Sequence, residues 1–300
     1  VDLVIDTFDD YAFHEKDIHN LGTLGRRWFG EHFDIETEDT FSFNFPDLVK
    51  TEPINIKVYV AAISTTPSSM EIQVNGVTES TVAIGVSNDS NVAADSNFLG
   101  NVNVTTNNVD VKLLYDKAGN PSAVGYVDYI SITAKRQLNF NGEQFQFENS
   151  ETALTSGIGQ YNITNASGVS EIWDVTDIFN VTGFENTESN SNLSFTSALG
   201  SLKKYVALTP SDFFEPKMDS NKTIRNQNIK GTVFLNSENN FQDLDYLIIA
   251  PNNMLDQAER LAEINRKQYN LNVKVFGLAE IYNEFSTGNQ DIGAIRNLVK

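Results

Sequence analysis

The 300-residue chain contains no cysteine. That absence excludes disulfides, thiolate metal sites and a cysteine nucleophile within these residues. A chain of this length buries enough surface to hold a core without covalent staples, and length alone suggests about two domains. Histidine is scarce: His14, His19 and His32 are the three present. Basic residues are also few. Lys+Arg is 21 against 40 for Asp+Glu, a formal net charge of −19. So acidic a chain repels phosphate backbones and anionic lipid surfaces unless a basic patch intervenes. Its basic residues fall in short pairs such as Arg26-Arg27 and Lys203-Lys204, so nucleic acid is not an expected partner. No apolar run approaches the roughly 18 residues of a membrane span. No basic-then-apolar leader stands at the start either. Val1-Asp2-Leu3-Val4-Ile5 has the character of a strand, so the chain is expected to begin mid-fold, after processing or cutting. Abundant Asn, Ser and Thr with sparse Lys suit an exported protein.

What is present is first of all β pattern. Thr40–Phe45 alternates apolar and polar residues up to Pro46, and Ile54–Val60 does the same. Such alternation marks half-buried strands. Met70–Val74 runs into Asn75-Gly76, a hairpin signal because both central residues of such a turn need positive φ. Runs at 101–106, 109–115 and 123–135 follow, the last two joined by the Gly-, Asn- and Pro-containing turn 116–121. Short strands at this spacing indicate a sandwich or jelly roll. A second β region spans about 137–214, with strands expected at 145–147, 159–163, 170–175, 193–196 and 205–208. Residues 182–192 are expected to form a polar loop, and 215–240 a linker or a strand passing between domains. No period of about 20 to 50 residues repeats, which excludes a solenoid or propeller.

At Asp245 the pattern changes. Tyr246–Ala250 is continuously apolar, as expected of a strand buried on both faces of a parallel sheet. Pro251, Asn252 and Asn253 break it and offer a helix cap. Met254, Leu255, Ala258, Leu261 and Ala262 then fall on one helical face. Residues 272–278 form a second buried strand. Asp291 caps a further helix with Ile292, Ile295, Leu298 and Val299 on its apolar side. This is β-α-β-α, the start of a doubly wound sheet. The expectation is a mainly β chain: β-sandwich or jelly-roll-like domains at 1–137 and 138–240, then the incomplete opening of an α/β domain at 241–300.

Constellations for chemistry are weak. The three histidines fit no zinc spacing, and surface or loop positions are expected for them. Acidic clusters stand at Asp6/Asp9/Asp10, Glu36/Glu38/Asp39 and Asp243/Asp245. Calcium favours such groups, but no Asp-x-Asp-x-Asp-Gly loop is present. Solvated charge is the simpler reading, and no cofactor is expected. No Gly-x-Ser-x-Gly elbow, phosphate loop or dinucleotide fingerprint occurs. Trp28, Phe29 and Trp173 could stack on sugars, but each lies in a hydrophobic run, and core packing is expected.

Several segments together carry a resemblance. Residues 15–36 read EKDIHNLGTLGRRWFGEHFDIE, with Gly25-Arg26-x-Trp28-Phe29-Gly30-Glu31-x-Phe33 the most specific part. Val124–Ile130 and Ile172–Asp177 follow in order. This set resembles the sortase-like components of the type IX secretion system of Bacteroidota. Leu24, where a small polar residue is expected, is a minor departure. The C-terminal segments Asp245–Ala250, Ala258–Ala262, Ile281–Gly288 and Asp291–Arg296 are similar to the opening of a gingipain-like (caspase-like) cysteine peptidase domain. The resemblance implies an exported protein at the cell surface, associated with the outer membrane. It implies an activity that removes C-terminal secretion signals from cargo and joins cargo to a lipopolysaccharide anchor. Its expected partners are secreted cargo and other components of the outer-membrane attachment complex. The family's catalytic His and Cys lie past the second helix of the α/β domain and match nothing here. No catalytic, cofactor-binding or metal residue is therefore assigned, and the chain alone is expected to be inactive. The contrasting expectations are an extracellular carbohydrate-binding or adhesin module, and a secreted gingipain-like protease that is itself cargo.

Overall fold

The turn at Asn75-Gly76 fixes the register of the clearest hairpin. Both residues take positive φ, 49° and 81°, the mirror-image turn whose twist matches that of two paired strands. The computed structural model describes residues 1–21, 27–87, 92–217 and 226–300. These divide into two units, Val1–Glu215 and Pro216–Lys300.

The first unit is built from strands. They are β1 (Leu3–Ile5), β2 (Thr7–Glu15), β3 (His32–Phe33), β4 (Glu38–Asn44), β5 (Ile54–Ile63), β6 (Ser68–Val74), β7 (Val77–Ile84) and β8 (Ala94–Val102). Then come β9 (Asn108–Asp116), β10 (Val124–Gln137), β11 (Phe145–Glu148), β12 (Ile158–Ile163), β13 (Glu171–Asp174), β14 (Thr182–Glu185), β15 (Leu193–Ala198) and β16 (Lys204–Leu208). One nine-stranded sheet runs β14-β13-β16-β11-β2-β10-β5-β8, with β3 added alongside β10. A four-stranded sheet, β4-β9-β6-β7, faces one part of it, and a three-stranded sheet, β1-β12-β15, belongs to the other part. The first unit is thus two sandwiches that share a sheet.

The alternation of β5 explains the first core. Ile54, Ile56, Val58 and Val60 are all fully buried, as are Ile72, Val109, Val111 and Leu113 from the facing sheet. Each such side chain contributes about 1.5–3 kcal/mol of burial. The second core gathers Phe147, Tyr161, Ile172, Phe195 and Tyr205. Ile5 and Phe8, from the start of the chain, lie in that second core. The first core draws on residues 33–134, and the second on residues 138–207 together with Ile5 and Phe8. β14 occupies part of the stretch expected to be a polar loop. Its four residues are all exposed, so no alternation marks it.

The second unit contains the short helix α1 (Ile229–Thr232), β17 (Tyr246–Ala250), α2 (Leu255–Tyr269), β18 (Val273–Gly277), α3 (Leu278–Phe285) and α4 (Ile292–Val299). β17 and β18 pair in parallel, with Tyr246 opposite Val273 and Ala250 opposite Gly277. The β-α-β-α expectation holds, with two corrections. In β17 Tyr246 is exposed, Leu247, Ile248 and Ile249 are half-buried and only Ala250 is buried, so its apolar run does not mean burial on both faces here. Its helices bury small or interior residues, Ala258 and Ala262 on α2 and Ala294 and Leu298 on α4, while Leu261, Ile292 and Val299 are exposed. The caps divide in the same way. Asp291 accepts from the Gly293 N–H as expected, whereas no Asn side chain caps α2. No described helix is long and apolar enough to cross a membrane.

Candidate functional site

Residues 16–21 leave the end of β2, and residues 27–36 run back against them as a strap. The N–H groups of Ile18 and His19 donate to the Phe29 carbonyl at 2.9 and 2.8 Å, and the Phe29 N–H returns to His19 O at 2.9 Å. The strap then joins β10. Gly30 N–H donates to Val127 O at 2.8 Å, Val127 N–H to Glu31 O at 3.0 Å, and β3 pairs with Gly125 and Tyr126. Gly30 lies close to Lys16: a Cβ there would stand 3.2 Å from Lys16 Cβ and O, so Lys16 would have to shift by a few tenths of an ångström. Gly25 and Arg26 of the signature lie outside the described residues.

Ion pairs pin the strap to the sheet. Arg27 donates from Nε to Asp128 Oδ2 and from Nη1 to Asp95 Oδ2, each at 2.8 Å. Its guanidinium lies over the Phe29 ring, 5.1 Å from the centroid. Phe29 is 5% exposed and tilts against Tyr126. Asp128 reaches Arg27 from a register shift in β10 between Val127 and Tyr129. The hydrogen bond from Arg27 holds the Asp95 carboxyl below the usual carboxylate range. Glu31 accepts from Lys16 Nζ at 2.6 Å and contacts His14 Nε2 at 3.0 Å. Burial works to raise the Glu31 carboxyl, but the hydrogen bonds from Lys16 and His14 outweigh it and lower it.

His19 and His32 pack edge to face, 5.0 Å between centroids, beside Tyr126. The three histidines therefore divide between an ion pair and an aromatic cluster. Among the described residues no group of three or more His, Asp or Glu could hold a metal.

The other candidates are engaged elsewhere. Asp9 pairs with Lys135 at 3.5 Å and accepts from Ser150 N–H at 2.7 Å, and Asp10 pairs with Arg136 at 2.8 Å. Glu38 pairs with Lys112 at 2.9 Å, and Asp245 accepts from Asn272 N–H at 2.8 Å. Core packing holds for Phe29 but not for Trp28, which is 42% exposed. Trp173 is half-buried: it donates from Nε1 to Glu171 at 2.6 Å and lies against Phe213.

The remaining signature segments have structural roles. Asp174 and Asp177 accept from backbone N–H groups two residues on, closing the turn after β13. In the second unit Ile281 is fully buried. Glu284 accepts from the N–H groups of Ile229 and Lys230 at 2.7 and 2.8 Å, holding the start of α1. Burial opposes that charge, yet the two backbone donors lower the Glu284 carboxyl overall. Thr287 and Gly288 take positive φ in the turn that ends α3. Sequence reasoning missed Asp95, Asp128 and Tyr126 as partners of the strap. Asp128 and Tyr126 lie inside the Val124–Ile130 segment, so two separately noted patterns are two sides of one contact. None of these groups is an activated nucleophile. The arrangement orders a surface.

Residues 239–300 match the model of peptidase family C25. No curated protein matches the sequence. Among solved structures, dimeric latent PorU from Porphyromonas gingivalis aligns over 99% of this chain with a TM-score of 0.76 and 17% identity. The chain spans 28% of that PorU chain. The CBM36-1 domain of a multidomain xylanase from the hindgut metagenome of Trinervitermes trinervoides aligns over 41% of this chain and 96% of its own at 16% identity. Its TM-score of 0.30 is too low to carry an argument. The chain thus has the fold of a part of PorU: mainly β, ending in residues of the C25 type.

Proposed function

We propose that this chain is a non-catalytic part of a PorU-like cysteine peptidase, a sortase of the type IX secretion system. In this reading the peptidase removes C-terminal secretion signals from cargo and attaches the cargo to a lipopolysaccharide anchor. The observation that carries it is the alignment with PorU over 99% of the chain at a TM-score of 0.76, joined to the C25 match at residues 239–300. The absence of cysteine from the sequence means that the thiol nucleophile is supplied by residues other than these. The shared-sheet unit is then a docking and access element. It receives secreted cargo and contacts other components of the outer-membrane attachment complex at the cell surface.

The test uses the 300-residue chain and a cargo protein carrying a type IX C-terminal signal domain. The expected result is binding of the cargo without release of its signal. Cleavage by this chain, or no association with cargo, would sink the reading.

A further inference from the structure

Strands β2, β10, β5 and β8 lie side by side. Their inward residues belong mainly to the first core, and on the other face Tyr11, Phe13, Lys57 and Leu99 are exposed while Ser131 and Ala61 are buried. Tyr11 and Phe13 on β2 are 58% and 62% exposed and stack on each other, with centroids 5.8 Å apart at 28°. On the neighbouring strands Tyr129 stands opposite Tyr59, and these rings stack at 4.6 Å and 18°. The registers put Phe13 opposite Ser131 and Tyr11 opposite Thr133. On the far side, Asn55 donates to Asn101 at 3.0 Å, and Asn97 stands opposite Tyr59. The face therefore runs from paired aromatic rings to a margin of side-chain amides.

With a net charge of −19 overall, this face carries the carboxylates of Asp9, Asp95 and Glu15. Asp9 is engaged by Lys135 and Asp95 by Arg27, while Glu15, the last residue of β2, is exposed and stands opposite Tyr129. The middle carries a single charge, Lys57. Such a surface complements an uncharged ligand with both apolar and hydroxyl-rich faces. A pyranose ring has that character. Its C–H face presents positive hydrogens to the negative face of an aromatic ring, and its hydroxyls pair with amides.

Size separates the possible occupants. Four strands at about 4.8 Å and three outward rows at about 6.7 Å give a patch of roughly 14 by 13 Å, on the order of 200 Å². A specific protein interface takes about 800 Å² from each partner. The patch is too small for a second copy or a folded partner and matches a short glycan.

We infer that this aromatic face, centred on Tyr11, Phe13, Tyr59 and Tyr129, is a binding site for a neutral oligosaccharide. It is separate from peptidase function and does not rest on that reading. The test presents the 300-residue chain to a printed array of neutral and uronic-acid-containing glycans. Calorimetric titration with neutral hexasaccharides (xylohexaose, cellohexaose and mannohexaose) then measures affinity. The expected result is retention on neutral glycans. Tyr11→Ala and Phe13→Ala should each weaken binding about tenfold, equal to about 1.4 kcal/mol, while the circular dichroism spectrum and Trp28→Ala binding stay unchanged. Three outcomes overturn the inference: no neutral glycan retained, binding confined to acidic glycans, or affinity unmoved in both variants. Self-association that disappears in the same two variants would also overturn it, by assigning the face to a second copy.

Discussion

Asn186 offers the sharpest test of how the second core is held. Its side chain is buried, 7% exposed, in the stretch after β14 that looks like plain polar loop. The Nδ2 group donates to the carbonyls of Ala166, Val169 and Asn190 at 3.0, 3.1 and 3.3 Å. The Oδ1 atom accepts from the Asn190 N–H at 2.9 Å. One amide thus ties the loop to Ala166 and Val169, which are 0% and 2% exposed. Asn186→Ala removes all four contacts. The two Nδ2 hydrogens are shared among three carbonyls, so with the Oδ1 bond there are three full bonds, and at a net of about 0.5–1.5 kcal/mol each the ceiling is about 1.5–4.5 kcal/mol. Ala166 O keeps a second donor, the Val169 N–H at 2.9 Å, and water can enter near the surface. The expected loss is therefore about 2–3 kcal/mol. Asn186→Asp keeps the acceptor for Asn190 but turns a carboxylate oxygen toward three carbonyls. It should cost more than the alanine variant at neutral pH. That carboxyl's folded pKa would be raised, so the excess cost shrinks as pH falls and the group takes up a proton. The assay is urea unfolding followed by tryptophan fluorescence. Both tryptophans, Trp28 and Trp173, lie in the unit Val1–Glu215, so the signal reports that unit alone. A loss below about 0.5 kcal/mol for Asn186→Ala, the lower bound for a single net hydrogen bond, would refute the reasoning. So would equal, pH-independent losses for the two variants.

Two further expectations concern the carboxylates that hold signature segments. Glu31 has a carboxyl lowered from 4.5, so its contribution is present above that value and is lost as pH falls through the lower folded value. Partial exposure limits that contribution to about 1 kcal/mol. Glu31→Gln should be less stable than the parent at pH 7 and converge with it in acid, and parallel stability–pH curves would contradict this. Glu284→Gln weakens the charge-assisted acceptance from Ile229 and Lys230 N–H. Amide exchange at residues 229–233 should rise about fivefold, matching a cap worth about 1 kcal/mol. Unchanged exchange there would show that the cap does not hold the helix.

Much of the β architecture was legible because its strands are half-buried and alternate. β4, β5, β6 and β9 each carry their core side chains on one face, and the Asn75-Gly76 turn announces itself chemically. β2 escaped notice for a physical reason. Phe8 and Ala12 point to the cores while Tyr11 and Phe13 point outward, so both faces of the strand carry apolar residues and the period of two is blurred. β14 is exposed throughout and has no core face to betray it. The strap was legible as a pattern and not as a mechanism. Arg27, Trp28 and Phe29 sit together in the sequence, but the partners Asp95 and Asp128 come from β8 and from a register shift in β10 that no local signal encodes.

The same limit explains why the aromatic face was invisible. Trp28 and Trp173 are conspicuous by type, yet one sits on the strap and the other beside Phe213. Tyr11, Phe13, Tyr59 and Tyr129 are ordinary strand residues until the pairing registers of β2, β10 and β5 bring them side by side. A binding surface on a sheet is written in register. It depends on which residues stand opposite one another across strands far apart in sequence, and a shift of one residue would send every one of these rings to the other face. Those registers are imposed by the inward residues, Val58, Ile130, Ile132 and Ala12 among them, which must meet the first core. The core therefore determines the outer face as well as the fold, and a change confined to buried residues could dismantle the patch without touching a ring in it.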